Sequence, residues 1–359
     1  MKIVITGAGS AQSNGVINCL LKDSEENEII GFGADPYDLM FCKAHQKYLV
    51  PHSSSDGYKK NFLNLLRKIR PDMIHFQHDR ELYTAIKFRD EIEALGIKML
   101  IPDNETINIC IDKYKSWEKF KQAGLTVPEN MYINNEKDLH IAFETLRNSE
   151  GKIWLRSSNI GGGGLGSLAA SNFKEASEWI TRNNGWGSFI AAEVLSKETV
   201  TWLSVWYWGE LIVAQGRKRH EWAHSALSPS GVTGVTKVGE TFSSEFVDQI
   251  GERSCRAVSV VPHGVYGVDM TYDFCGIPNP TEINIGRFFT TVQFFAEAGL
   301  NMPVILKNLC LYNGRKPDVK KYNPLPDGLL WLRAMDCLPI LATEADIKRQ
   351  VENLEGELS

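Results

Sequence analysis

The sequence predicts a mixed chain, α/β over roughly its first 105 residues and α+β beyond them. Three observations carry this. Up to Pro102, short apolar runs alternate with amphipathic stretches; a glycine run then separates two strand-like runs; and strand patterns follow one another closely from Phe189 to Ala214. At 359 residues there is room for about two or three domains. Apolar residues make up 43% and charged residues 23%, enough to build cores and unlike a disordered tail.

In chain order, Ile3–Thr6 reads as a buried strand running into Gly7-Ala8-Gly9-Ser10, then a helix through Leu21 and a strand Glu28–Gly33 ending at Asp35. Phe62, Leu65, Leu66 and Ile69 fall at i, i+3, i+4 and i+7, an amphipathic helix stopped by Arg70-Pro71. Asp72–Phe76 is the next strand, and Glu81–Leu95 a helix closed by Gly96. Repeated βα units with near-continuous apolar strands give a small parallel, Rossmann-like sheet. Beyond it, Asp112–Ala123 is a helix ended by Gly124, with Pro128 following, and Leu139–Leu146 is another. Lys152–Arg156 and Gly166–Ala170 are strands, and Asn172 to Glu175 forms a capping-box start for a helix through Ile180. Phe189–Leu195, Val200–Trp208 and Leu211–Ala214 are strands, the last two joined by a tight hairpin at Gly209-Glu210. The segment from about 311, with Pro317, Pro324 and Pro326, reads as a return arm ending in a charged tail.

Charge and cysteine usage exclude some classes. Lys plus Arg number 39 against 44 Asp plus Glu, a net charge of −5 that argues against non-specific nucleic-acid binding. Seven scattered cysteines with no C-x-x-C suggest neither a zinc knuckle nor a disulfide framework, and reduced thiols in a cytoplasmic protein are expected. No run approaches ~20 apolar residues, so no membrane partner is expected, and the first residues are too short in apolar run for a secretory signal.

The chemistry concentrates in Thr281-Glu282-Ile283-Asn284-Ile285-Gly286-Arg287. On a strand, Glu282 and Asn284 share one face and Ile283 takes the other. A carboxylate and an amide oxygen with a cation just beyond suit Mg²⁺ on a phosphorylated ligand, with Asp269 one hairpin away; an ordinary buried strand end with a solvated Glu–Asn pair is the alternative. The second signal is Arg156-Ser-Ser-Asn-Ile-Gly161-Gly162-Gly163-Gly164-Leu165-Gly166. Four consecutive glycines after a strand cost chain entropy and let backbone N–H groups cradle phosphates, as a strand–flap–strand hairpin; a merely flexible loop is the alternative. No Gly-Lys-Ser/Thr follows, so it is not a P-loop.

Other motifs keep two readings. Gly7-Ala-Gly9-Ser-Ala-Gln12, with Asp35 as ribose acid, suggests a dinucleotide site, or a loop that holds substrate or only packs. His75-x-x-His78 lacks a third metal ligand, and a structural or solvent-facing role is expected. Trp202, Trp206, Trp208 and Trp222 read as core or hairpin-face residues, with a pocket-lining role as the alternative. Arg217-Lys218-Arg219 suits either phosphates or a solvated strand end. Nothing suggests a protein nucleophile.

Taken in order, these features resemble the ATP-grasp superfamily, in particular its branch similar to biotin carboxylase and the synthetase domains of the carbamoyl-phosphate synthetase large subunit. The resemblance runs to about residue 310. It implies a Rossmann-like pre-ATP-grasp domain (1–105), an N-terminal lobe with the flap (106–192), a C-terminal lobe with the metal site (193–310) and a return arm (311–359). Asp112-Lys113 resembles the helix whose basic residue, here Lys113, touches nucleotide phosphates. Arg156 matches the second phosphate-binding cation, and Gly161, Gly162, Gly163 and Gly164 the flap. Ala192-Glu193-Val194-Leu195 resembles the hinge whose backbone holds adenine, and Glu198 the acid that accepts ribose hydroxyls. Asp269, Glu282 and Asn284 match the magnesium ligands, with Mn²⁺ able to substitute, and Arg287 the cation near the transferred phosphoryl group. The family usually has Asn-Pro-Arg, whereas here Ile285-Gly286 separates Asn284 from Arg287.

The implied activity is ATP-dependent, ADP-forming ligation: a small carboxylate becomes an acyl phosphate and joins an amine, with Arg287 and Arg217 stabilising the anionic intermediate. A single synthetase-like module is expected to be insufficient for carbamoyl phosphate synthesis from glutamine, and a homodimer is compatible with the family. The alternatives are an ATP-binding regulatory or scaffold protein and an NAD-dependent oxidoreductase.

Overall fold

The computed structural model describes residues 1–159, 166–223, 230, 235–334 and 338–349. Its first sheet has strands β1 (Lys2–Ile5), β2 (Glu28–Gly33), β3 (Gln46–Leu49) and β4 (Met73–His75), all parallel, in the order β3-β2-β1-β4. This is the expected parallel sheet. The expected helix Glu81–Leu95 is instead Asp79–Ala85, a 3₁₀ turn Ile86–Phe88 and Arg89–Glu93. Ala85, Ile86 and Phe88 all enter the core at this break.

The second sheet is antiparallel: β5 (Asn130–Ile133), β6 (Ile153–Ser157), β7 (Leu168–Ala170) and β8 (Phe189–Ala192), in the order β5-β8-β6-β7. Helices Glu136–Thr145 and Phe173–Arg182 close over it around Leu139, Ala142, Ala176 and Ile180, forming its own core. Asn172 caps the second helix by accepting from the Glu175 amide. The β6–β7 pair is the expected hairpin; its glycines Gly161–Gly164 lie outside the described residues. The expected strand Phe189–Leu195 ends at Ala192.

The third sheet has seven strands: β9 (Thr199–Tyr207), β10 (Glu210–Trp222), β11 (Thr236–Phe242), β12 (Gly264–Tyr272), β13 (Pro278–Ile285), β14 (Leu329–Leu332) and β15 (Ile340–Thr343), ordered β13-β12-β9-β10-β11-β14-β15. The β9–β10 turn is one residue earlier than expected. Trp208 (φ 46°) and Gly209 (φ 83°) are its left-handed corner residues, which suits a two-residue hairpin, and Glu210 already belongs to β10. Beyond residue 311 the chain bridges Ala214 through Tyr322 and adds β14 and β15 to the sheet edge.

Side-chain alternation along β9 divides the sheet. Trp202 and Trp206 are fully buried on the side of helix Glu245–Val258, where Gly251 lies so close to the Trp202 ring that a Cβ would be 2.4 Å from it. Leu203 and Val205 take the other side and share a core with Ile3, Ile5 and helix Met302–Leu311. The parallel sheet and the seven-stranded sheet are thereby packed together, and Thr201 shares the face of Leu203. Among the described residues no helix is long and apolar enough to cross a membrane.

Candidate functional site

The site is one cross-strand row. Arg217 on β10 pairs with Thr201 on β9, Thr201 with Asp269 on β12, and Asp269 with Glu282 on β13, so all four project from the same face. Hydrogen bonds follow the row. Arg217 Nη2 donates to Thr201 Oγ1 at 2.7 Å, and Thr201 Oγ1 donates to Asp269 Oδ1 at 2.5 Å. Two residues along β13 on the same face, Asn284 Nδ2 donates to Asp269 Oδ2 at 2.8 Å. The expected hairpin therefore closes, bringing Asp269, Glu282 and Asn284 together.

A bulge shapes the row's end. Asp269 opposes Glu282 but Met270 opposes Pro280, leaving Thr281 as an extra residue. Its hydroxyl donates to the Asp269 carbonyl at 3.1 Å, and its own carbonyl accepts from Arg156 Nη2 of β6 at 3.1 Å. Arg156 thus reaches from the four-stranded sheet to the seven-stranded one. Lys113 arrives as the first residue of helix Lys113–Gln122, capped by Asp112, whose carboxylate accepts from the Tyr114 and Lys115 amides. The Lys113 amide is anchored on the Ser158 carbonyl at 2.9 Å, and its Nζ stands 3.5 Å from Glu282 Oε2.

Cations around this row outnumber the carboxylates that face them. Arg217 is 1% exposed; Nη1 donates to Thr291 Oγ1 at 2.7 Å, and the guanidinium stacks on Phe289. Arg219, not singled out by itself in the sequence, bonds Thr236 and Thr199, stacks on Trp222 and stands 4.0 Å from Asp269. The basic run is therefore no solvated strand end. Burial pulls the pKa of Arg217 well below its usual value, and Arg219 and Arg333 add to this against Asp269. Burial also lowers Arg156 and Arg219, opposed by Glu282 and, for Arg219, first by Asp269. Arg287 differs. Burial works against its charge, but the Asp79 carboxylate more than offsets this, with Glu282 and Asp269 adding, and its pKa is raised.

The oxygen donors fit a hard cation. Two carboxylates and an amide oxygen leave positions for phosphate oxygens, as Mg²⁺ prefers. Among the described residues no group of three or more His, Cys, Asp or Glu is placed to hold a metal, so His75 and His78 form no such centre. His75 is buried beside Gln77 Oε1 at 2.9 Å, and burial pushes its pKa down to about 4.

The hinge segment leaves β8 at Ala192. Glu193 is tied twice to Glu129, its amide donating to the Glu129 carbonyl at 3.1 Å and its carboxylate accepting from the Glu129 amide at 2.9 Å. Val194 and Leu195 are half-buried, and Glu198 is exposed, its carbonyl accepting from Tyr272. In the glycine loop of the parallel sheet Gly9 packs on the Asp38 backbone, where a Cβ would lie 2.2 Å from the Asp38 carbonyl oxygen. The exposed Asp35 carboxylate caps helix Pro36–Met40 by accepting from the Tyr37 and Asp38 amides.

No protein-family model matches the sequence, and neither does any curated protein. Solved structures do. An L-amino acid ligase from Bacillus licheniformis superposes with a TM-score of 0.65 at 12% identity, over 92% of this chain and 78% of that one. N5-carboxyaminoimidazole synthetase from Staphylococcus aureus, complexed with ADP, gives 0.68 at 15% identity over 93% and 82%. The biotin carboxylase domain dimer of 2-oxoglutarate carboxylase from Hydrogenobacter thermophilus, with MgADP and bicarbonate, gives 0.68 at 14% identity over 92% and 73%. These are ATP-grasp carboxylate–amine ligases, and this chain has the ATP-grasp fold they share.

Proposed function

We propose that the chain is an ADP-forming ligase that activates a small carboxylate with ATP and joins it to an amine. The observation that carries this is the Arg217–Thr201–Asp269–Glu282 row, which sets paired carboxylates beside Lys113 and Arg156. Phosphoryl transfer needs mainly positioning and charge neutralisation. Lys113 and Arg156 would hold the nucleotide phosphates with the flap amides of Gly161–Gly164, the Glu193-Val194-Leu195 backbone the adenine, and Glu198 the ribose. Asp269, Glu282 and Asn284 would hold Mg²⁺, or Mn²⁺ in its place, which spreads the charge of the transferring group. A substrate carboxylate oxygen attacks the γ-phosphorus and ADP leaves; an amine then attacks the acyl carbon and phosphate leaves. Arg287 faces the anion formed in between. Arg217, sealed from solvent, acts through Thr201 and Asp269.

The same reading divides the chain at about residues 105, 192 and 310. It places the protein in the cytoplasm, as a possible homodimer, with small molecules as partners and neither nucleic acid nor membrane.

The test is ADP release over a matrix of small carboxylates and amines with Mg²⁺, with hits identified by mass spectrometry. Glu282→Gln is expected to lose at least about 100-fold of that release while keeping the wild-type circular dichroism spectrum. Undiminished turnover in this variant excludes the metal assignment. ADP release indifferent to every carboxylate and amine, or nucleotide binding without release, favours a regulatory nucleotide-binding protein instead.

A further inference from the structure

Arg287 is joined to the parallel-sheet layer and not only to β13. Gly286 turns the chain at φ 69°, and a Cβ there would lie 2.5 Å from Leu82 Cδ2, so the strand end runs directly against helix Asp79–Ala85. Gln77 clamps the next residue, its Oε1 accepting from the Phe288 amide at 2.8 Å and its Nε2 donating to the Phe288 carbonyl at 3.1 Å. Between these fixed points, Arg287 Nε donates to Asp79 Oδ1 and Nη2 to Asn284 Oδ1. The Arg287 side chain is only 11% exposed, so this is no solvent-screened surface pair.

An amide oxygen that accepts from a guanidinium has one lone pair engaged and a positive charge beside it, which weakens its hold on a second cation. Arg287 therefore contests Asn284 with the metal, and after Asp79 the carboxylates of Glu282 and Asp269 are the next charges that favour its cationic form. We propose that Asp79 is the positioning residue for Arg287: its carboxylate holds the guanidinium at Asn284 and keeps it from moving on to the Asp269 and Glu282 carboxylates, so that cation loading frees Nη2 toward substrate while Nε stays anchored. The Ile285-Gly286 spacing then has a physical purpose, since it turns Arg287 from the strand onto Asp79. This rests on Asp269, Glu282 and Asn284 being metal ligands.

The experiment titrates Mn²⁺ into the full chain with saturating ADP and reads free Mn²⁺ by electron paramagnetic resonance, so that turnover is not needed. Asp79→Asn, with its anchor gone, is expected to bind Mn²⁺ roughly tenfold more weakly, a change of ~1.4 kcal/mol. Asp79→Glu keeps the charge and is expected to stay within about threefold of the unaltered protein, under ~0.7 kcal/mol. Removing Arg287 as well, in Asp79→Asn with Arg287→Met, is expected to restore the affinity, because nothing is left to compete. A merely structural Asp79 gives no such rescue, and a weak double variant overturns the proposal. Arg287→Met alone keeps the Asp79 carboxylate and is expected to bind Mn²⁺ at least as tightly as the unaltered protein; weaker binding overturns the proposal even if the Asp79 variants do not fold. Unaffected binding by Asp79→Asn refutes the positioning role alone. Absence of Mn²⁺ binding by the unaltered protein defeats the metal reading and this one with it.

Discussion

Two buried cations show opposite ways of using charge. Lys307, on helix Met302–Leu311, has a fully buried side chain and two carboxylates, Asp23 and Glu25, each 2.6 Å from its Nζ. Tyr312 donates to the same Glu25 at 2.7 Å. Arg217 is as deeply buried, yet its two terminal nitrogens meet threonine hydroxyls and, among the described residues, its Nε has no partner. The first cation is neutralised where it stands and fastens the parallel-sheet layer to the C-terminal helix. The second keeps its field for the row of carboxylates and whatever binds there. Of these two cations, the one with neutral partners belongs to the candidate site and the one with charged partners to a joint.

The widest separation between the two regions is expected from Lys307→Ala. It removes the cation that Asp23 and Glu25 share and should lower stability in denaturant unfolding by more than the loss of a surface pair. A loss below ~1 kcal/mol would mean that the joint is no more than a surface pair. Arg217→Met should do the reverse. An uncompensated buried charge is replaced by a side chain of similar reach, so stability should hold or rise by up to ~3 kcal/mol while ADP formation drops about tenfold or more. A destabilised variant with full turnover would erase the distinction.

The smallest expected effect is on pH. Hydrogen bonds from Lys307 and Tyr312 hold the Glu25 carboxyl below its usual 4.5, so its contribution is present above that value and fades as pH falls through the folded pKa. Burial opposes the Lys307 charge, but Asp23 and Glu25 raise its pKa above 10.5; its contribution is complete below 10.5 and lost only as pH climbs through the higher folded value. Unfolding measured across pH should therefore show a plateau whose acid and alkaline shoulders both flatten in Lys307→Ala. Unchanged shoulders would detach Lys307 from the linkage.

Legibility in the sequence follows the same division. Asp269, Glu282 and Asn284 could be found because a hairpin is local and strand alternation has period two. The same alternation marks Arg217 and Arg219 as one face of β10, but two arginines around a lysine look like a solvated run until the strand is known to reach Trp222. Asp79 could not be assigned to Arg287, because 208 residues separate them and only the packing of two layers brings them together. Helix Glu245–Val258 was available in the spacing of Val247, Ile250, Cys255 and Val258, yet the neighbouring strand signals masked it. The joint at Lys307 reads in sequence as an ordinary lysine, since its carboxylates lie more than 280 residues away.

Thr281 makes β13 one residue longer than β12 needs. In a ladder of equal count its carbonyl would have a partner in the adjoining strand; the miscount sets it loose, and Arg156 of another sheet takes it. The joint between the four-stranded sheet and β13 is thus written as arithmetic, a surplus of one residue, and no special side chain is required at 281 to supply it. Many residue types could stand there without altering the contact, provided that the number of residues between Pro280 and Glu282 is kept.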